Sequence, residues 1–242
     1  MILKDALESL KSTLAPFIAL QRELENLEKA ARLDDKTPLL NGLAMSEAEE
    51  KFAASDESPN VVVFADINKF KSVNTEYGQY AGDVAIEKVG ELINTELVES
   101  CGAQAFHISG DEFVLLLNQN SLEQLKLKTD SFKNCAVSFL DSSSEQEIQF
   151  IVKVSFGIAL NDNVSDFRTL RSRAELACKK AKTLGGGKFF EWTEELERSR
   201  MEELRETCHK CGTITECNVP TDKKEIKSIL RCPNCQISFA EN

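Results

Sequence analysis

Short apolar blocks alternate with amphipathic stretches along this chain. Val61-Val62-Val63-Phe64-Ala65 and Phe113-Val114-Leu115-Leu116-Leu117 are uninterrupted apolar runs of strand length, the pattern of buried strands. Phe106 to Ile108 followed by Ser109-Gly110 predicts a hairpin whose return strand begins near Glu112. A second hairpin pairs Ala136-Val137-Ser138-Phe139-Leu140 with Ile148-Gln149-Phe150-Ile151-Val152 around a tip at Asp141 to Glu145. Val84, Ile86, Val89 and Leu92 mark an amphipathic helix, and residues 46 to 56 start an earlier one. Gly185-Gly186-Gly187 connects a last helix to a closing strand at Lys188 to Trp192.

Both ends carry different patterns. Leu3, Leu7, Leu10, Leu14 and Phe17 recur at spacings of four and three, and Leu20, Leu24, Leu27 and Ala31 resume in a shifted frame after Pro16. Residues 1 to 33 therefore predict one bent helix or two short ones, either a dimerising stalk or a helix folded back on its own domain. Thr193 to Glu206 predicts a charged helical linker. In residues 207 to 242, Cys208-His209-Lys210-Cys211 and Cys232-Pro233-Asn234-Cys235 form two C-x-x-C knuckles. That spacing suits a zinc ribbon with Cys208, Cys211, Cys232 and Cys235 as ligands. Binding of order 10 kcal/mol would fold a tail too short to bury a core. His209 and Cys217 are read as bystanders.

Acidic residues at strand ends carry the candidate chemistry. Asp66 closes the first apolar run, and Asp111-Glu112 follow the Ser109-Gly110 turn. If the two strands are neighbours, Asp66 and Asp111 face one another and repel unless a cation lies between them. Magnesium, a hard cation that works with phosphates, is the expected ion. Strand capping and turn decoration are the plain alternative.

Composition narrows the class. The chain has 242 residues, a net charge of -11 and 42% hydrophobic content, enough for one full core with two small appendages. Such acidity disfavours nucleic acid and anionic membranes as partners. From 204 to 242 six Lys or Arg stand against five Asp or Glu, and four zinc-bound thiolates would add negative charge, so a protein partner for the ribbon is preferred over nucleic acid. No run reaches the roughly 18 apolar residues of a membrane span. Cysteines spaced for zinc fit a reducing compartment, with Cys101, Cys135 and Cys178 as buried or idle thiols, so a cytoplasmic location is expected.

Asp66-Ile67-Asn68-Lys69-Phe70-Lys71 through Asn74, Gly78 and Gly82-Asp83 resembles the signature of GGDEF-domain diguanylate cyclases. Ser109-Gly110-Asp111-Glu112-Phe113 is similar to the motif that names the family. Val154 to Ala159 looks like its late core strand, and Ala174 to Lys182 like its last helix. The resemblance implies an α+β fold over residues 34–192, with a palm-like antiparallel sheet and flanking helices. It implies that Asp66, the Ile67 carbonyl and Asp111 hold magnesium or manganese, and that Asp111 and Glu112 help to activate a 3'-hydroxyl. Lys71 and Lys182 would meet phosphates, while Asn74 and Asp83 would grip guanine and its sugar. A carboxylate at Asp83 can accept from N1–H and the 2-amino group, which adenine does not offer.

Several positions depart from the family pattern. Ser109 replaces a glycine, a substitution that costs stability only if φ must be positive. His107 replaces an arginine. Gly186 falls where an arginine often meets phosphate, leaving Lys182 and Lys188 for that charge. Ser100-Cys101-Gly102-Ala103 stands at the family's product-inhibition motif, so feedback through that site is not expected. The implied reaction is condensation of two GTP into cyclic di-GMP and pyrophosphate across a homodimer. A catalytically silent nucleotide-binding scaffold and a nucleotidyltransferase with another cyclic product are the alternatives.

Overall fold

A computed structural model of the chain describes residues 2–54, 61–141, 145–162, 165–203, 205–207 and 214–216, with side chains described within 13–52, 61–141, 145–162 and 165–200. The chain divides into a unit spanning Met1–Phe190 and a second spanning Glu191–Asn242.

Within the first unit, helices α1 (Ile2–Ala30) and α2 (Gly42–Ala54) precede strand β1 (Val61–Ile67). Helices α3 (Phe70–Tyr77) and α4 (Gln79–Ile93) follow, and then strands β2 (Gln104–Ser109) and β3 (Glu112–Leu117). After α5 (Leu122–Lys128) come β4 (Cys135–Asp141), β5 (Gln146–Val152) and β6 (Val154–Leu160), then α6 (Phe167–Thr183) and β7 (Phe189–Glu191).

Five strands form the main sheet in the order β2-β3-β1-β6-β7. β1 lies in the middle, antiparallel to β3 from Val61↔Leu117 to Asp66↔Glu112 and antiparallel to β6 from Val61↔Leu160 to Ile67↔Val154. β2 is also antiparallel to β3. A central strand covered on both faces needs apolar side chains at every position. This is why Val61 to Ala65 do not alternate, and all five are buried.

Helices cover both faces of the sheet. On one face Val63, Ala65, Phe113, Leu115, Phe156 and Ile158 share a core with Ala81, Ala85, Val89 and Ile93 of α4. α6 packs against β6 and β1. A Cβ on Gly157 would lie 1.9 Å from the Ala174 carbonyl oxygen and 2.2 Å from the Cys178 nitrogen, so this glycine lets α6 rest directly on β6. Ala174, Ala177, Cys178 and Ala181 supply the matching small-residue face of α6. β4 and β5 form a separate ribbon, joined to α3 and α4 by Tyr77 stacked on Phe150 at 4.8 Å and Tyr80 edge-on to Phe139 at 5.3 Å.

The expected strands, hairpins and last helix are present, and the differences are local. α2 begins at Gly42 rather than 46, because the Asn41 side chain accepts from the Leu43 and Ala44 N–H groups. α6 begins at Phe167, capped by Asp166, which accepts from the Thr169 N–H at 2.7 Å. α1 is one helix with Pro16 inside it, and its residues 13–30 are exposed rather than folded onto the domain. Among the described residues no helix is long and apolar enough to cross a membrane.

In the second unit the charged stretch forms helix α7 (Glu194–Glu203), and β8 (Arg205–Thr207) pairs antiparallel with β9 (Ile214–Glu216). Cys208, Cys211, Cys232 and Cys235 lie outside the described residues.

Candidate active site

The acidic end of the sheet is built by strand register. Asp66 on β1 sits opposite Glu112 on β3 and Ser155 on β6. The Ile67 N–H donates to the Asp111 carbonyl oxygen at 3.2 Å, tying β1 to the hairpin turn. From α6 the Lys182 ammonium contacts Asp66 Oδ1, a pair that is 32% and 14% exposed. This oxygen is buried and, among the described residues, accepts no regular hydrogen bond beyond that ammonium contact. Burial pushes the Asp66 carboxyl up to about 7; Lys182 opposes the rise and the adjacent Asp111 adds to it. Glu112 is also raised, by burial first and then by Glu175 and Asp111, with Arg171 and Lys182 acting in the opposite direction.

A buried oxygen beside a second carboxylate fits a hard cation, which would offset the desolvation and the repulsion that raise the Asp66 carboxyl. Among the described residues no three Asp, Glu, His or Cys side chains form a ready cage. Magnesium does not require one, since it takes one or two carboxylates and completes its shell with water and substrate phosphates.

The hairpin accommodates its two departures. Gly110 has φ 52, whereas Ser109 is not among the residues with positive φ, so the turn needs glycine only at 110. His107 is buried, with Nε2 3.0 Å from the Gly110 carbonyl oxygen and Nδ1 2.9 Å from Asp34 Oδ1. Both ring nitrogens lie within 3.0 Å of an oxygen. The residue in the arginine's place thus joins the turn to the loop before α2. Asp34 also accepts from the Thr37 N–H and hydroxyl, and its carboxyl is held below the usual range by these bonds and His107 against the opposing effect of burial.

The second cluster lies on α3 and α4. Asn74 is inside α3 and Asp83 inside α4, whose N-cap is Gly78, so neither side chain serves as a helix cap. A Cβ on Gly82 would lie 1.9 Å from Asn74 Oδ1. The glycine of the Gly82-Asp83 pair therefore makes room for the Asn74 amide. Asn74 Oδ1 is buried and has no hydrogen-bond partner among the described residues. Asp83 is half exposed and takes the Lys36 ammonium at 2.5 Å. Lys71 is exposed on α3.

Gly186 has φ 68, and a Cβ there would lie 1.6 Å from the Asn68 side-chain nitrogen. Asn68 is held by the Ser155 hydroxyl, which donates to its Oδ1 at 2.7 Å and accepts from the Gly187 N–H at 3.3 Å. The expected arginine position is filled by this packing. Lys36 and Glu175 were not singled out from sequence. Glu175 lies seven residues before Lys182, on one face of α6, and that helical spacing was the available signal. Lys36 had none, since the pair it forms spans a loop and a helix.

Residues 31–188 match the family model "Diguanylate cyclase, GGDEF domain", and the chain belongs to that family. It is 31% identical over 172 residues to the cyclic di-GMP phosphodiesterase PdeB of Shewanella oneidensis, covering 68% of this chain and 19% of that protein. It is 26% identical over 190 residues to the diguanylate cyclase DosC of Escherichia coli K12, covering 76% and 40%. The matched regions thus span less than half the length of these relatives. Among solved structures, the coiled coil and GGDEF domain of DgcB from Caulobacter crescentus in complex with c-di-GMP shares the fold at TM-score 0.58 and 22% identity, covering 77% of this chain and 99% of that one. The diguanylate cyclase SiaD of Pseudomonas aeruginosa, solved with its activator SiaC, does so at TM-score 0.59 and 22% identity, covering 78% and 73%.

Proposed function

We propose that this protein is a diguanylate cyclase that condenses two GTP into cyclic di-GMP and pyrophosphate, each domain of a homodimer holding one GTP. The observation that carries this reading is the convergence of Asp66, Asp111 and Lys182 at the end of β1, with Asp66 Oδ1 buried and its carboxyl raised to about 7. Asp66, the Ile67 carbonyl and Asp111 would hold magnesium or manganese. The metal, when bound, makes a 3'-hydroxyl more acidic and neutralises triphosphate charge. Glu112, its carboxyl raised, is suited to accept the hydroxyl proton. With a cation held there, Lys182 would be free to meet the terminal phosphates together with Lys71. Asn74 and Asp83 bind the guanine and its sugar.

Two such domains must face one another. Exposed Leu14, Phe17, Ile18, Leu20, Leu24 and Leu27 on α1 support pairing with a second copy through this helix. For the tail, the four-cysteine spacing and the antiparallel β8–β9 pair on either side of the first knuckle support a zinc ribbon, with a protein as its partner. One zinc per chain by elemental analysis, lost when Cys208 and Cys211 become serine, tests that assignment.

Incubation of zinc-replete protein with GTP and magnesium, followed by mass identification of the product, tests the cyclase. Cyclic di-GMP from the unmodified chain and none from Asp111→Ala is the expected result. A second reading, a silent GTP-binding scaffold, draws on the packing that keeps a cation out of position 186. GTP binding without product at concentrations that dimerise the chain would favour it. A mixed ATP and GTP reaction distinguishes any other cyclic nucleotide.

A further inference from the structure

Lys36 lies beside the carboxylate assigned to guanine, and no role above uses it. Its ammonium is 2.5 Å from Asp83 Oδ1, and the two side chains are 49% and 52% exposed, so a ligand can reach both. Neither residue hangs on a loose tether. Asp83 is inside α4. The Lys36 N–H donates to Asp34 Oδ1 at 3.1 Å, and Asp34 also holds Thr37 and contacts buried His107. Next to Asp83, the buried Asn74 Oδ1 packs against Gly82 and lacks a partner among the described residues.

We propose that Lys36 is a base-reading residue whose ammonium donates to the guanine O6 while Asp83 takes N1–H and the 2-amino group. The inference rests on the assignment of Asp83 to guanine. One edge of guanine presents an acceptor, O6, followed by two donors. An ammonium beside a carboxylate presents the complement, and a lysine bound to one carboxylate oxygen keeps two N–H groups for O6. Adenine offers a 6-amino donor to the ammonium and an N1 lone pair to the carboxylate, so both contacts reject it. The lysine also cancels the charge that would otherwise be desolvated as the base docks on Asp83.

Calorimetric titration of the full chain with GTP and with 6-thio-GTP, with calcium in place of magnesium to prevent turnover, tests this. Lys36→Met should weaken GTP binding about tenfold, the loss of one charge-assisted hydrogen bond. It should weaken 6-thio-GTP, whose sulfur is a poor acceptor, less than about twofold, and Lys36→Arg should stay within about threefold of the unmodified chain for both. Equal losses for the two nucleotides, no loss, or tighter GTP binding by Lys36→Met would overturn the proposal, the last showing that Lys36 blocks Asp83 instead. If Asp83→Asn leaves GTP binding unchanged, or the unmodified chain binds no GTP, the guanine assignment itself fails and Lys36 loses its role with it.

Discussion

The two ends of the site use the same chemical pair in different surroundings. Lys182–Asp66 is mostly buried at the end of the sheet, whereas Lys36–Asp83 is half exposed between a loop and α4. Burial raises the carboxyl of the first pair to about 7, with Asp111 adding to the rise, at the place proposed for a metal ion. Exposure leaves the second pair with little stability at stake and open to a ligand, as the proposed base-reading role requires.

The largest effects should come from breaking the buried end. Asp66→Asn and Asp111→Ala should each lower cyclic di-GMP formation at least about 1,000-fold, read from initial rates, because electrostatic stabilisation and metal binding are removed together. At the end proposed to bind guanine, Gly82→Ala forces the Asn74 amide aside. GTP binding should fall about tenfold or more in a titration, with a much smaller change in melting temperature.

Stability and pH test the burial difference directly. A carboxylate raised from 3.8 to about 7 keeps a proton in the folded chain that the unfolded chain has released. Its contribution to stability therefore falls as pH rises from about 4 to about 7 and is flat above that. Comparing denaturant midpoints of the unmodified chain and Asp66→Asn isolates this group, and the variant should gain relative stability toward pH 8. Magnesium should raise the melting temperature of the unmodified chain more at pH 8 than at pH 6, and a larger rise at pH 6 would contradict the assignment.

Gly186→Arg, which restores the family's cation, should destabilise the fold by about 1–3 kcal/mol without raising activity, since φ 68 and the Asn68 amide both oppose a side chain there. The smallest effect belongs to the exposed pair. Lys36→Met should change unfolding free energy by less than about 1 kcal/mol, measured in urea.

Much of the fold was legible because local pattern and tertiary role coincide. The apolar run ending in Asp66 reads as a central strand, and Gly110-Asp111-Glu112 reads as a turn entering another. The site was legible only as residue types at motif spacing. That Ser109 is tolerated followed from one dihedral, since the turn takes its positive φ at Gly110. That His107 lies against Asp34 followed only from the fold, which brings the loop before α2 beside the hairpin.

The sequence alone made the central strands, the hairpins and the amphipathic helices legible, because strand burial, turn conformation and helix periodicity are properties of neighbours along the chain, and its motifs named the family and the residues that could carry the chemistry. Tertiary structure alone decided which carboxylate is buried, which lysine answers it and where a missing Cβ is required. Those depend on desolvation and on contacts between residues far apart in the chain, such as Lys182 with Asp66 and Lys36 with Asp83, and hydrophobic pattern does not encode such pairings.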